Sequence, residues 1–478
     1  ELNSTVVSVY SDWTENFSTE VRLGHTKLVS EQRSTDAASG FGEVQISSLA
    51  NGGTIFIGPD DSRQSNEMDW TNDTLKLAGT YYLDDHTITG GYETENLDIY
   101  NLFMQHTIGE YRFGGDRTRN TIGGASGLDD YELGIADDVY YNNSAGTNNP
   151  IDAAANFSYA THAVYAQDKW TLDDLTLMFG VRYDWISSSD QPKYNALFEE
   201  RYGITNQATF DGKDLFQPRF GFNWAVNESL ELRGGVGLYS GGNPNVWLSN
   251  SYSNDGITNI DAYRADINIL NAVKSGDGQA IFDPLQAMVD QVTTNNPALG
   301  SEPSTNAVDP NFEMPSEWKY NIGATYETEN EYIFSADVLY SQKQDSATIV
   351  DLCSFDTGND TIDGRPIYAK QVLGVVGTRN VTRNSLYSDL LLTNAPADGS
   401  STTISVAAKK EYDFGLDAQI GYAYNKSKDY NPMTSSVAFS NFTNISVSDQ
   451  NDPGVGTSNY EVPHNFTLSL RYTMELVG

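Results

Sequence analysis

The sequence predicts an all-β fold, a transmembrane antiparallel β-barrel, from three observations. Polar and apolar residues alternate along many segments, the connections between these segments are alternately short and long, and aromatic residues cluster near segment ends. Because side chains alternate between the two faces of a β-strand, a period of two predicts strands. Residues 173–188 show the pattern, with Leu175, Leu177, Phe179, Val181, Tyr183 and Trp185 on one face, and Thr176, Met178, Gly180, Arg182 and Asp184 on the other.

About thirteen such segments occur along the chain. Many of them exceed the roughly five or six residues usual in globular strands and reach the roughly 9 to 11 that a tilted strand needs to cross a bilayer. No apolar run of about 20 residues occurs, so no transmembrane helix is predicted. The segments lie near residues 2–11, 15–30, 70–83, 87–104, 157–171, 175–188, 216–226, 229–240, 316–327, 331–346, 401–412, 414–427 and 458–474.

The connections alternate between tight polar turns, such as residues 173–174, and long loops, of which residues 241–315 form the longest. Bacterial outer-membrane barrels have short periplasmic turns and longer extracellular loops, whereas a soluble sandwich has no reason to sort its connections. We therefore expect the apolar faces to meet outer-membrane lipid and lipopolysaccharide, and the polar faces to line a wet or plugged lumen. Two aromatic girdles are predicted from Trp170 and Trp224 near short turns, and from Tyr183, Trp185, Tyr239 and Tyr340 near long loops.

Composition excludes several functions. The net charge of −37 argues against nucleic-acid partners, because phosphate binding needs basic surfaces, and it favours cationic or cation-bridged ligands at the acidic loops. Cys353 is the one cysteine of the chain, so neither a disulfide framework nor a zinc site built on cysteines is available within it. The five histidines have no zinc-binding spacing.

One predicted hairpin carries a specific set of residues: Tyr165, Gln167, Asp168, Trp170, Gly180, Arg182, Tyr183 and Asp184. With these residues it resembles the central hairpin of TonB-dependent outer-membrane receptors. Stretches at 216–256, 310–327 and 363–368, and one that begins at residue 390, are similar to the Oar-like branch of that family, and the match spans most of residues 70–474. The resemblance implies a barrel of about 22 strands in a Gram-negative outer membrane, a plug domain, and TonB-driven uptake of an extracellular ligand.

The sequence also departs from that family. We expect the plug and the TonB box that the resemblance implies to lie outside residues 1–478, and the last residues do not match the expected final strand with an aromatic end. Thirteen strands is an odd number, whereas bacterial single-chain barrels have even numbers. We therefore expect residues 1–478 to be the barrel portion of a longer protein, without the plug and the C-terminal strands. By itself this portion would leave both edges of its sheet unpaired.

The stretch GGNPNVWLSNSYSNDG, at residues 241–256, is the candidate ligand-binding segment. Mixed aromatic and amide side chains on a loop that leaves the top of a strand can stack on a ligand and hydrogen-bond to it. The alternative interpretation is that Pro244 and Trp247 pack the loop onto the barrel rim. The candidate residues are Asn243, Asn245, Trp247, Asn250, Tyr252 and Asn254.

Three carboxylates of the loop DTGNDTIDG, Asp356, Asp360 and Asp363, offer the oxygen ligands that calcium prefers. The alternative is a solvated acidic loop, and no other cofactor is expected. Paired aspartates at 84–85 and 173–174 fit turn chemistry better than glycosidase chemistry. The glycines of residues 234–242 fail the dinucleotide-binding fingerprint because the third glycine and the helix are missing.

These observations favour a non-enzymatic transport barrel. Two other functions stay open at the level of the sequence. The first is a passive porin-like channel or a structural or export barrel, and the second is a soluble secreted β-rich carbohydrate-active protein.

Overall fold

The computed structural model describes residues 1–34, 41–48, 53–114, 126–242, 245–269, 284–294, 303–372, 379–380 and 388–474. Within these ranges the chain forms 25 strands and five α-helices. The strands are β1 (Leu2–Thr14), β2 (Phe17–Glu31), β3 (Glu43–Ser48), β4 (Gly53–Ile57), β5 (Ser65–Leu83), β6 (His86–Met104), β7 (Glu110–Phe113), β8 (Ile135–Ser144), β9 (Ala155–Leu172), β10 (Leu175–Ser187), β11 (Asp214–Asn227), β12 (Leu230–Ser240), β13 (Asn259–Asn268), β14 (Thr305–Val308), β15 (Ser316–Glu327), β16 (Tyr332–Gln344), β17 (Ala347–Asp351), β18 (Ser354–Asp360), β19 (Pro366–Val372), β20 (Arg379–Asn380), β21 (Asp389–Asn394), β22 (Ser400–Tyr412), β23 (Leu416–Asp429), β24 (Gly456–Thr457) and β25 (His464–Tyr472). The helices are α1 (Gly127–Leu133), α2 (Ala196–Tyr202), α3 (Asn245–Ser253), α4 (Gln286–Thr294) and α5 (Ala438–Thr443).

Thirteen long strands form one antiparallel sheet, and they are the thirteen segments that the alternation predicts. Their order along the sheet follows the chain: β1-β2-β5-β6-β9-β10-β11-β12-β15-β16-β22-β23, with β25 pairing next to β23 and the two-residue β24 on the same side of β23. This meander of neighbouring strands is the topology of a membrane barrel wall. The predicted fold class is confirmed. None of the described helices has the length and the apolar content that crossing a membrane requires.

The connections are sorted as the sequence predicts. Two to four residues join the strands at one end of the sheet, and connections of 26 to 75 residues leave the other end. Asp84 and Asp173 open two of the tight turns with φ of 48° and 47°, in the left-handed region that aspartate tolerates better than most residues. The assignment of these aspartates to turn chemistry is confirmed.

Strand β10 has the two different faces that its sequence predicts. Phe179 is 46% exposed on the outward face and lies opposite Phe220 of β11, with ring centroids 5.2 Å apart. On the inward face, Arg182 donates to Glu93 of β6 at 2.8 Å and to Asp184 at 2.7 Å. An apolar outward face and an ion-paired inward face are what a barrel in lipid requires.

Trp185 lies on the outward face, as the predicted outer girdle requires, whereas Tyr239 does not. Trp185 stacks on His162 on the outward face, with ring centroids 5.1 Å apart. Tyr239 instead lies on the inward face, where the Arg219 guanidinium sits 4.4 Å from its ring centroid and the Lys319 ammonium 5.6 Å from it. Tyr239 is six residues after Arg233 on β12, so the alternation itself places its ring on the inward face, and the cation–π contacts stabilise it there.

The sheet has two free edges in the described part of the chain. Strand β1 pairs along one side with β2, and β25 pairs along one side with β23. Unpaired backbone groups are costly in hydrocarbon, so these edges need partner strands in the membrane. The expectation that this portion leaves its edges unpaired therefore agrees with the topology.

The long loops fold into ordered bodies at the outer end of the sheet. One body is a five-stranded sheet with the order β13-β8-β7-β3-β4, which we call the side sheet, and two three-stranded sheets have the orders β14-β21-β17 and β18-β19-β20. An apolar core joins the loops to inward-facing residues of β6 and β9. Near their outer ends the inner faces of these strands thus change from polar to apolar. The core includes Ile99, Phe157, Phe210, Leu248, Phe312, Leu392 and Phe442.

Candidate functional site

Helix α3 lies inside the outer mouth of the barrel, directly after β12. Leu248 is buried in the apolar core, and the Asn101 side-chain amide of β6 donates to Ser249 Oγ at 2.9 Å. Tyr159 of β9 donates its hydroxyl to Asn245 Oδ1 at the start of the helix. Because both strands present these groups from their inward faces, α3 is held across the lumen and not on the outer rim.

Most of the predicted ligand-binding residues use their polar groups to hold α3 in place. Trp247 donates Nε1 to the Ser435 carbonyl at 3.1 Å, and Asn250 donates to the Ser436 carbonyl at 2.9 Å. These two bonds tie α3 to the loop that carries α5. They are packing contacts of the kind expected from the alternative interpretation of this segment.

Tyr252 and Asn254 also have partners within the loops. The ring of Tyr252 stacks on Phe157 with centroids 4.4 Å apart, and its hydroxyl donates to the Asp190 carbonyl at 2.8 Å. Burial raises the pKa of Tyr252, which keeps this hydroxyl protonated and donating. Asn254 accepts from the Asn259 amide at 3.1 Å. Asn243 lies outside the described residues.

Two cavities flank the first turn of α3. The larger has a volume of about 770 Å³, and its wall includes Asn245, Trp247, Glu317 and Lys343. The smaller, of about 370 Å³, lies between α3 and the inner faces of β5, β6 and β9. Both volumes fall within or close to the range of small-molecule sites. Asn245 lines both cavities, so it is the candidate residue best placed to contact a ligand.

The inner wall below α3 is polar and charged. A third cavity, of about 200 Å³, is lined by Glu93, Glu95, Arg182 and Asp184 among other residues. One ion pair joins neighbouring strands and three reach across an intervening strand, so both signs of charge line the lumen. The pairs are Glu20–Lys76 at 2.9 Å, Glu93–Arg182 at 2.8 Å, Arg233–Asp337 at 2.7 Å and Lys343–Asp429.

A cluster of possible metal ligands lies beneath the side sheet. Asp61, His106 and Glu110 place ligand atoms within 4.8 Å of one another, and Glu43, Asp60 and Asp61 form a second, overlapping group. His106 Nε2 lies 3.0 Å from Asp61 Oδ2 and 2.8 Å from Glu110 Oε2. Burial by itself lowers the pKa of His106, but the two carboxylates beside the ring raise it to about 9.

Sequence reasoning missed this cluster. Glu43 and Asp61 come from the loop after β2, whereas His106 and Glu110 come from the loop after β6. The spacing of four residues between His106 and Glu110 was the one local signal, and it matches no zinc motif. Only the packing of the two loops brings the third and fourth side chains to the pair.

The three aspartates predicted to bind calcium lie on the β18–β19 hairpin, and all are exposed. Asp356 accepts from the Gly358 amide at 2.8 Å, and Asp363 pairs with Arg365 at 2.9 Å. Among the described residues, the groups with metal-ligand spacing do not include Asp356, Asp360 or Asp363. Nearby, the thiol of Cys353 is buried and donates to Asp351 Oδ1 at 2.9 Å.

The wall of antiparallel strands, its sorted connections and its inward ion pairs define an outer-membrane β-barrel as the class of protein. Residues 3–477 match the family model described as "Outer membrane beta barrel domain", so the chain belongs to that family. The protein is thus located in the outer membrane, which contradicts the alternative of a soluble secreted carbohydrate-active protein. No curated protein matches the sequence.

Solved structures of outer-membrane transporters are similar to this chain at low identity. The transporter YddB from Escherichia coli is 12% identical, with a TM-score of 0.56, over 99% of this chain and 48% of that one. The FrpB iron transporter from Neisseria meningitidis is 12% identical, with a TM-score of 0.47, over 99% and 48%. The ferric enterobactin receptor PfeA from Pseudomonas aeruginosa is 10% identical, with a TM-score of 0.45, over 90% and 47%. The chain therefore spans about half the length of these proteins.

Proposed function

We propose that this chain is the barrel portion of a TonB-dependent outer-membrane transporter or receptor of the Oar-like branch. The observation that carries the proposal is the placement of α3 and the apolar core inside the barrel mouth, next to cavities that open toward a polar lumen. The similarity of the hairpin at residues 165–184 to that family supports it, as does the likeness of the fold to the transporter YddB. The function is ligand binding followed by gated passage, without bond chemistry.

The ligand site in this proposal is the 770 Å³ cavity beside the first turn of α3. Asn245 offers its amide to the ligand there and Trp247 offers its ring, while Asn243 adjoins the same turn in sequence. Asn250, Tyr252 and Asn254 act by holding α3 in place. The acidic chain favours a cationic or cation-bridged ligand through its potential. Calcium on Asp356, Asp360 and Asp363 stays a separate prediction.

Conductance separates this proposal from a passive porin-like barrel. In a TonB-dependent transporter a plug domain closes the lumen, so the full-length natural protein in a planar bilayer should show no steady ion conductance. A porin-like barrel would conduct continuously, because its wide lumen is filled with water. Steady open channels from the full-length protein would therefore overturn the proposal. A silent protein that binds the periplasmic domain of TonB would support it.

Asn245→Ala should weaken ligand uptake at least about 2- to 10-fold, the value of one neutral hydrogen bond lost to the ligand, because the change also removes the acceptor of the Tyr159 hydroxyl. The ligand is first identified as the solute that wild-type cells remove from a defined medium and that cells lacking the gene do not. Uptake of that solute is then compared between variants at equal amounts of protein in the outer membrane. Asn359→Ala, on the exposed β18–β19 hairpin, is the matched control and should leave uptake unchanged. Equal uptake by the Asn245→Ala variant and the wild type would place the site elsewhere.

A further inference from the structure

We propose that Asp61, His106 and Glu110 hold a resident divalent transition-metal ion that joins the loop after β2 to the loop after β6. These loops contribute the side-sheet strands β3, β4, β7 and β8, so the ion would lock the side sheet at the barrel mouth. Nothing in the proposed transport function requires such an ion. The inference rests on the geometry, burial and charge of the side chains around His106.

The distances suit neighbouring ligands of one ion. Ions of this class lie about 2.1 Å from nitrogen and oxygen ligands, so adjacent ligands of an octahedral ion are about 3.0 Å apart. His106 Nε2 lies 3.0 Å from Asp61 Oδ2 and 2.8 Å from Glu110 Oε2. The same distances would also fit ion pairs between a protonated His106 and the two carboxylates. The alignment of the His106 ring therefore distinguishes a metal site from a pair of ion pairs.

The His106 ring is not aligned with either carboxylate. Its side chain is 12% exposed, and both ring nitrogens are wholly buried without a well-aligned hydrogen bond to any described residue. A buried polar group ordinarily finds a hydrogen-bond partner. A nitrogen aimed between two carboxylates, and at neither, is the arrangement in which a lone pair points to a shared ion.

Hydrogen bonds hold both carboxylates in place. Glu110 is 0% exposed, and its Oε1 accepts from Arg112 Nε at 2.7 Å and from Gln45 Nε2 at 2.6 Å. These bonds orient Oε2 toward His106, where it also accepts from Arg112 Nη2 at 3.1 Å. The Ser62 amide donates to Asp61 Oδ1 at 2.7 Å, and Gln105 donates to the facing oxygen, Oδ2, at 3.1 Å. Outer hydrogen bonds of this kind fix the orientation of ligands in metal sites.

The charge balance also favours a dication. With His106 neutral, as a metal ligand must be, the carboxylates of Asp61, Glu110 and the buried Glu43 face one fixed cation, Arg112, which is bonded to Glu110. Buried charges are stable only when they are paired or bound to metal. One imidazole with two carboxylates suits Mn²⁺, Fe²⁺ or Zn²⁺ better than Ca²⁺. Asp61, His106 and Glu110 do not line any of the three cavities described near α3, so this ion site is separate from the proposed ligand site.

The test is a titration of the full-length protein with Mn²⁺ alone, after chelator treatment and in detergent, followed by electron paramagnetic resonance. We expect one tightly bound ion per chain. His106→Asn should weaken binding at least about 100-fold, since even outer partners of a metal are worth 10- to 100-fold. Asparagine suits this position, where φ is 59°. Glu110→Gln should weaken binding as well.

His86→Asn is the matched control. His86 also pairs with an aspartate, Asp168, at 2.8 Å, but it lies outside the cluster. This variant should bind Mn²⁺ like the wild type.

Absence of a bound ion in the wild type would overturn the proposal, as would equal binding by the His106→Asn variant. Because the wild-type titration needs no substitution, misfolding of a variant cannot hide a negative result. Conductance and TonB binding are separate measurements, so failure here leaves the transport proposal standing.

Discussion

Phe179→Arg should prevent assembly of the barrel in the outer membrane. Phe179 lies near the middle of β10 on the outward face, packed against Phe220 and 46% exposed to the surroundings of the sheet. An arginine there would place its charge in hydrocarbon, at a cost of roughly 2 to 4 kcal/mol at the bilayer midplane. The measurement is the amount of heat-modifiable protein in purified outer membranes.

Met178→Arg is the matched control, one residue earlier on the inward face. The new charge would sit in the lumen, where repulsion from Lys169 on β9 costs less than about 1 kcal/mol. This variant should therefore assemble at nearly the wild-type level. If both variants assembled equally well, or both failed, the assignment of the two faces to lipid and lumen would be wrong.

Phe312→Ala should open the loop body at the barrel mouth and leave the barrel wall intact. Phe312 is 0% exposed in the apolar core and stacks on Phe210, with ring centroids 5.6 Å apart. Truncating a fully buried phenylalanine costs about 3 to 5 kcal/mol in lost burial and in the cavity that is left. Hydrogen exchange of the backbone amides should accelerate near residues 205–212 and 303–315, but not in β10 or β11.

Phe56→Ala provides the same chemical change on an exposed residue of the side sheet. Because Phe56 is 64% exposed on β4, its truncation should change amide exchange of the loops very little. Faster exchange throughout the barrel strands of the Phe312→Ala variant would mean that the loop body and the wall unfold together. That outcome would contradict the separation of the two parts.

The strands of the barrel wall were predictable from the local alternation of polar and apolar residues. In a strand that separates lipid from a polar lumen, every second residue must be apolar, so Leu175 to Trp185 reveal both the element and its faces. Strand number and the sorting of turns followed from the same signal. The side sheet and the other short loop strands were missed, because strands such as β3 and β7 pair with each other across long stretches of sequence.

For the candidate ligand segment, the local sequence pattern predicted the position of the segment but not the role of each side chain. The sequence located residues 241–256 as a loop of amides and aromatic rings above a strand. Contacts with residues near 157, 190 and 435 then divided those side chains into ones that hold α3 and ones that line a cavity. These partners lie far away in the sequence, so no pattern within the segment could reveal them.

The sequence by itself determined the class of protein, the number and the faces of its long strands, and the end of the barrel at which the loops lie. Each of these depends on residues that are near neighbours in the chain. Only the tertiary structure decided that α3 lies inside the mouth and that Asp61 meets His106 and Glu110. Such contacts depend on how separate loops pack in space. The exposure of a position to solvent, to lipid or to the core determines which residue types occur there, but it does not determine which distant residue each side chain contacts.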